Sequence, residues 1–232
     1  MRKRKFYENV YLYLAIGLII VLWGFSQSYF NKLNPTALPY HVHGISAIFW
    51  MLLLIIQPIF YKLGKLKIHR YLGGISILVV PVIIVGGIEM MKLMIQGQER
   101  YPPDLVYNLA FIDACTLLGF AITYFLAILY RRNFKLHARF MVCTIFGPLI
   151  PALTRIFFSL NIVNNFNEAL TYSYLLTEFV LLIIICQEKE FKQIKFTYLP
   201  FLLFLIGQHI LMYDAGQWNW WVSIMNDFSN YN

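Results

Sequence analysis

Charge is what this sequence has least of. Only 13% of its 232 residues are charged, and its acids number 11, against a hydrophobic fraction of 59%. A water-soluble domain of this length needs far more charged surface, so that class is excluded. Cysteine is scarce as well: Cys115, Cys143 and Cys186 all sit inside apolar runs and form no C-x-x-C. They read as small buried hydrophobes, not as a disulfide framework. No G-x-S-x-G and no Ser/His/Asp ordering is present, so no catalytic nucleophile is indicated. The net charge of +8 is no nucleic-acid signal once the basic residues are located. The expected partner is a lipid bilayer.

What the chain does have is seven long apolar runs, at residues 11–29, 41–61, 70–93, 105–130, 138–160, 172–186 and 196–213. A bilayer core takes about 17–25 apolar residues per helix, and lipid forces every backbone bond to close internally, so the runs are predicted helices. The expectation is an all-α polytopic protein, one domain over 1–232, with seven transmembrane helices. The start, Met1-Arg-Lys-Arg-Lys, imitates a signal peptide, but the first run is too long for an h-region and no A-x-A-like site follows. It is read as a retained helix.

Basic residues set the orientation. Arg2, Lys3, Arg4 and Lys5, then Lys62, Lys65, Lys67 and Arg70, then Arg131, Arg132, Lys135 and Arg139, then Lys189, Lys192 and Lys195 fall on one side. Lys32, Lys92 and Arg100 fall on the other. The positive-inside rule then predicts a cytoplasmic amino terminus and an external carboxyl terminus; the expected location is the plasma (bacterial inner) membrane. A weak repeat joins 41–94 to 105–160: each half has an apolar helix, a basic turn with one His (His69 or His137) and a proline-bearing helix. The tail's three tryptophans, Trp218, Trp220 and Trp221, read either as an interfacial segment or as a packed cap.

Under that topology His41, His43, Glu89, Asp113, Arg155, Glu178, His209 and Asp214 form one layer in the outer half of the bilayer. Ionisable groups in a membrane invite a functional reading. Imidazoles with carboxylates are the ligand set of iron, zinc or copper. His41 and His43 can share a metal if the first helical turn, just after Pro39, is irregular; His209 with Glu178 or Asp113 would complete the set. Arg155 would pair a spare carboxylate or hold an anionic substrate. The structural alternative is an ion-paired network of Arg155 with Asp113 or Glu178. At the other face His69 and His137 are either interfacial anchors or two imidazoles gripping a b-type haem, with Arg70 and Arg139 near its propionates.

The series H-G at His43, Q-P at Gln57, H-R-x-x-G at His69 and H-A-R-F-M at His137, with Arg155 beyond, resembles a bacterial membrane family known as domain of unknown function 2306. The likeness covers roughly residues 41 to 155. More distantly it is similar to the two-haem b-561-type transmembrane cytochromes, which carry four histidines on four central helices. That resemblance implies a haem-binding role for His43, His69 and His137. The fourth position falls on the fourth run, where this chain has Asn108 and Asp113. The outer histidines and acids also look like the zinc-dependent ceramidase and progestin-receptor-like hydrolases, although their H-x-x-x-H on the last helix is absent here. Three functions are therefore expected in order. The first is a metal- or haem-dependent membrane oxidoreductase or electron-transfer protein acting on a lipophilic or quinone-like substrate. The second is a zinc hydrolase with Glu178 or Asp113 as general base. The third is a transporter or assembly factor with an intramembrane ion-pair relay.

Overall fold

A computed structural model describes residues 9–33 and 36–230; the basic start Arg2–Lys5, used above for orientation, lies outside them. Among the described residues there is no strand. The helices are α1 (Val10–Ser26), α2 (Leu38–Lys62), α3 (Leu66–Gln96), α4 (Leu105–Leu129), α5 (Phe134–Cys143), α6 (Phe146–Ser159), α7 (Phe166–Gln187), α8 (Phe191–Gln193), α9 (Leu199–Leu211) and α10 (Asn219–Asn230). Seven spans are long and apolar enough to cross a membrane: Val10–Lys32, Leu38–Lys62, Leu66–Gln96, Leu105–Leu129, Phe134–Ser159, Phe166–Gln187 and Phe191–Leu211. Each expected run has its helix. Large apolar side chains stand outward along them, as at Leu78 and Phe125, the pattern that lipid-facing helices require. The cysteines divide: Cys143 is buried, Cys115 half-buried, and Cys186 exposed where a buried side chain was expected.

Where the elements differ from the apolar runs, local chemistry gives the reason. The sixth span starts at Phe166, six residues before the apolar run at 172. A capping box precedes it: the Asn165 side chain accepts the Glu168 N–H at 2.9 Å, and the Glu168 carboxylate accepts the Asn164 N–H at 2.9 Å. Those polar residues mark a helix start that apolarity alone cannot show. The fifth span breaks at Thr144-Ile145 because Pro148 has no N–H for the Thr144 carbonyl and its ring crowds that oxygen. Pro200 has the same effect on the seventh span, where a wide π turn, Ile194–Tyr198, joins α8 to α9. The basic α2–α3 turn closes on Gly64 at φ 71°, with Gly64 N–H to Tyr61 and Lys65 N–H to Phe60; only glycine takes that backbone without strain.

The chain divides into two compact units, one holding residues up to Ile83 with Pro148–Ser173, the other Ile84–Gly147 with Tyr174 onward. In the first, α1 packs on α2 and also meets α6, where Gly24 lies directly on the Ala152 backbone and leaves no room for a Cβ. Small residues at such crossings let helices approach in lipid. Thr154 donates to Ser173 at 3.0 Å, tying α6 to the start of α7.

In the second unit, Met91, Ile95, Val106, Ala110, Ala215, Trp221 and Met225 make one core. The tail is thus a packed cap on one face, with Trp221 Nε1 donating to the Tyr107 carbonyl at 2.9 Å. Its other face leaves Trp220 and Ile224 exposed, as an interfacial helix would. On the α5 side, the buried Arg139 guanidinium grips Glu188 through Nε at 2.7 Å and Nη2 at 2.6 Å, and Lys135 binds Glu190 at 2.7 Å. These two pairs tie the turn between the sixth and seventh spans to α5.

Candidate functional site: a carboxylate–imidazole pair between α7 and α9

Glu178 stands twelve residues inside the sixth span and His209 near the end of the seventh. The carboxylate Oε1 and the imidazole Nδ1 are 3.0 Å apart, with both side chains nearly buried. Two residues, each four positions away on its own helix, complete the surroundings. Tyr174 precedes Glu178 by one turn and stacks on the imidazole, ring centroids 4.8 Å apart and planes 17° from parallel. Tyr213 follows His209 by one turn, with its hydroxyl 3.4 Å from Nε2. Spacing by four puts each pair on one helix face, which is why two helices suffice to build the site.

The partner of Nδ1 decides the chemistry. A carboxylate accepts, so Nδ1 carries a proton. On the other nitrogen, the Tyr213 hydroxyl donates to a neutral imidazole or accepts from an imidazolium. The ring can therefore be neutral or charged without any side chain leaving its place. A carboxylate and an imidazole paired inside an apolar span serve in membrane helices either as a packing ion pair or as part of a polar relay.

The other predicted residues have other partners. His41 and His43 both lie in a regular α2, so two positions turn them about 200° apart. The irregular first turn expected after Pro39 does not form. His41 Nδ1 meets the Tyr29 hydroxyl at 2.8 Å, and His43 Nδ1 meets the Ile83 carbonyl at 2.9 Å, all within the first unit. Arg155, in the same unit, lies 4.4 Å over the Phe25 ring, with Nε on Ser28 at 3.2 Å and Nη1 on the Pro151 carbonyl at 2.9 Å. Asp113, in the second unit, is exposed on α4. His69 is the fourth residue of α3, edge-on to Tyr61, with Arg70 exposed beside it. His137 is the fourth residue of α5, with Nδ1 on the Ala127 carbonyl at 2.8 Å. Arg139, expected near haem propionates, holds Glu188. Among the described residues no three His, Cys, Asp or Glu side chains gather as a metal site; of the expected ligands His41, His43, His209, Glu178 and Asp113, the second unit brings Glu178 and His209 into contact.

Sequence reasoning missed Tyr174 and Gln208. Tyr174 belongs to the Glu178 face of α7, a spacing visible in Tyr-x-x-x-Glu. Gln208, a lone amide in an apolar run, donates to the Ile112 carbonyl at 2.8 Å and to Thr116 Oγ1 at 3.0 Å.

Comparison with protein-family models, with curated proteins and with solved structures returns no match to this chain. The likenesses described above therefore rest on the chain's own histidines and their neighbours.

Proposed function

We propose that this is an integral membrane protein that works as a proton relay, either as a transporter or as part of an assembly, with the Glu178–His209 pair as its working site. The observation that carries this reading is the 3.0 Å contact of an imidazole with a carboxylate inside two membrane-length helices. The Tyr213 hydroxyl serves both protonation states of the ring. The proton-bearing groups have named roles: Glu178 accepts, His209 carries, Tyr213 follows. With fifteen basic residues in the segments on one side and three on the other, the positive-inside rule gives a cytoplasmic amino terminus and an external carboxyl terminus. In a bacterium the chain belongs to the inner membrane. The test is proton flux into vesicles containing the full chain, driven by a pH gradient and a potassium diffusion potential, and followed with an internal dye. Wild-type vesicles are expected to acidify faster than empty ones, and Glu178→Gln vesicles to behave like empty ones. Equal rates for wild type and empty vesicles overturn the proposal.

A second reading, the membrane redox protein, is favoured by one feature. His43 and His137, two of the three histidines matching the b-561 pattern, each give Nδ1–H to a backbone carbonyl. That bond fixes the ring and leaves Nε2 as the nitrogen that ligates in haem and metal proteins. The residues fit such a group one at a time, and a haem bound there would supply one-electron transfer. A Soret band in the purified protein that shifts on reduction and disappears in His43→Ala and His137→Ala supports this reading, and colourless protein sinks it.

A further inference from the structure

The turn from α2 to α3 carries four cations, and residues 9–88 contain no Asp or Glu. Lys62, Lys65, Lys67 and Arg70 are all exposed there. Lys62 donates to the Asn9 side-chain oxygen at 3.3 Å. The side chains of Lys65, Lys67 and Arg70 have no ion pair or hydrogen bond among the described residues. The α5 side of the second unit is the contrast: there Glu190 and Glu188 hold Lys135 and Arg139. Large apolar side chains stand outward among the three free cations, with Leu63 61% and Tyr71 73% exposed. Water suits the cations but not the apolar groups, and acyl chains suit the apolar groups but not the cations. The headgroup layer of an anionic membrane suits both.

We propose that the α2–α3 turn is a binding site for anionic phospholipids, with Lys65, Lys67 and Arg70 on the phosphate and Leu63 and Tyr71 against the upper acyl chains. The site lies within the first unit and does not rest on the relay. Its depth fits. Lys62 ends the second membrane-length span and Leu66 begins the third, so the turn stands where a span leaves the apolar core. Lys67, Arg70 and Tyr71 fall at i, i+3 and i+4, on one face of α3. From Lys67 to Tyr71 the helix rises about 6 Å, against roughly 5–8 Å for one headgroup layer. The backbone is preset as well. Gly64, at φ 71°, gives its N–H to the Tyr61 carbonyl at 3.1 Å, and Lys65 gives its own to Phe60 at 2.9 Å. A turn already closed on itself loses little freedom when a ligand arrives. Basic residues beside a span each strengthen binding to an anionic surface roughly fivefold.

The test titrates the full chain in detergent with phosphatidylglycerol or phosphatidylcholine of identical acyl chains and counts bound lipid by native mass spectrometry. Wild type is expected to bind phosphatidylglycerol at least about tenfold more tightly, a modest share of what three cations contribute. The triple variant Lys65→Gln, Lys67→Gln, Arg70→Gln is expected to lose that preference, and Lys67→Gln alone to weaken phosphatidylglycerol about fivefold. Lys65→Arg with Lys67→Arg keeps the charge and is expected to keep the preference. Arg131→Gln with Arg132→Gln removes exposed cations elsewhere and is expected to change nothing. Equal affinity of wild type for the two lipids, or a preference kept in the triple and single variants, overturns the site. A preference lost equally in the Arg131/Arg132 variant shows that total charge, not this turn, selects the lipid, and overturns it too. Inorganic phosphate at the same concentration is expected not to displace phosphatidylglycerol, because it offers nothing to Leu63 and Tyr71. Displacement would reveal a simple anion site and overturn the lipid assignment.

Discussion

The first unit's His43 and the second unit's His209 are the same side chain in two regimes. His43 gives its Nδ1–H to the Ile83 carbonyl, which can only accept and never changes charge. His209 gives Nδ1–H to Glu178, a partner that can itself take the proton. The first bond orients a ring; the second, in the relay proposed above, makes a two-site proton store. The lesson is that a histidine inside a membrane helix is read by what faces its nitrogens, not by its depth. Four of the chain's five histidines face carbonyls or tyrosines; His209 has a tyrosine neighbour too, and beside it stands the Glu178 carboxylate.

The comparison can be sharpened with another carboxylate of the second unit. Arg139 and Glu188 are both buried and doubly bonded, and this pair ties down a turn. Glu188→Ala leaves the guanidinium charged in an apolar site and is expected to cost about 3–5 kcal/mol, with most of it recovered when Arg139→Met is added. Detergent or SDS unfolding checks both; a Glu188→Ala protein as stable as wild type would remove the clasp from the account. Glu178→Ala deprives His209 of its partner and is expected to cost about 1–3 kcal/mol in the same assay, while Glu178→Gln keeps a hydrogen bond and much of the stability. His43→Ala removes one neutral bond to a carbonyl, about 1 kcal/mol, and should leave proton flux as it was; lost flux would move the working site to the first unit.

The smallest effect is acid-dependent. The Lys135 ammonium, hydrogen-bonded to Glu190, holds that exposed carboxyl below its ordinary value of 4.5. The folded-state value is the lower of the two. The pair's contribution is therefore present above the ordinary value and is lost as pH falls through the folded one. Lys135→Met is expected to leave stability at neutral pH nearly unchanged, as surface pairs are worth little, and to flatten the extra loss seen between about pH 5 and about pH 2. Identical acid profiles for the two proteins would show that Lys135 does nothing for Glu190.

Much of the architecture was legible because lipid leaves the chain few options: a long apolar run must be a helix, and all seven runs became one. The edges were less so. The Asn165–Glu168 capping box and the Pro148 and Pro200 breaks are local polar and steric effects that hydropathy averages away. Of the site, Glu178 and His209 could be named from the sequence, because ionisable groups in apolar runs stand out. Their pairing could not, because it depends on which faces of α7 and α9 meet. His41 and His43 have different partners, Tyr29 and the Ile83 carbonyl, because two positions along a regular helix point apart. The Arg139–Glu188 contact could not be read either, because the 188–190 turn brings the carboxylate from 49 residues away in the chain.

The most direct test compares Glu178→Gln with His43→Gln in the vesicle flux assay, at matched protein content. The relay predicts that Glu178→Gln loses flux at least about tenfold while His43→Gln keeps the wild-type rate. Wild-type flux in Glu178→Gln, or its loss in His43→Gln alone, contradicts it.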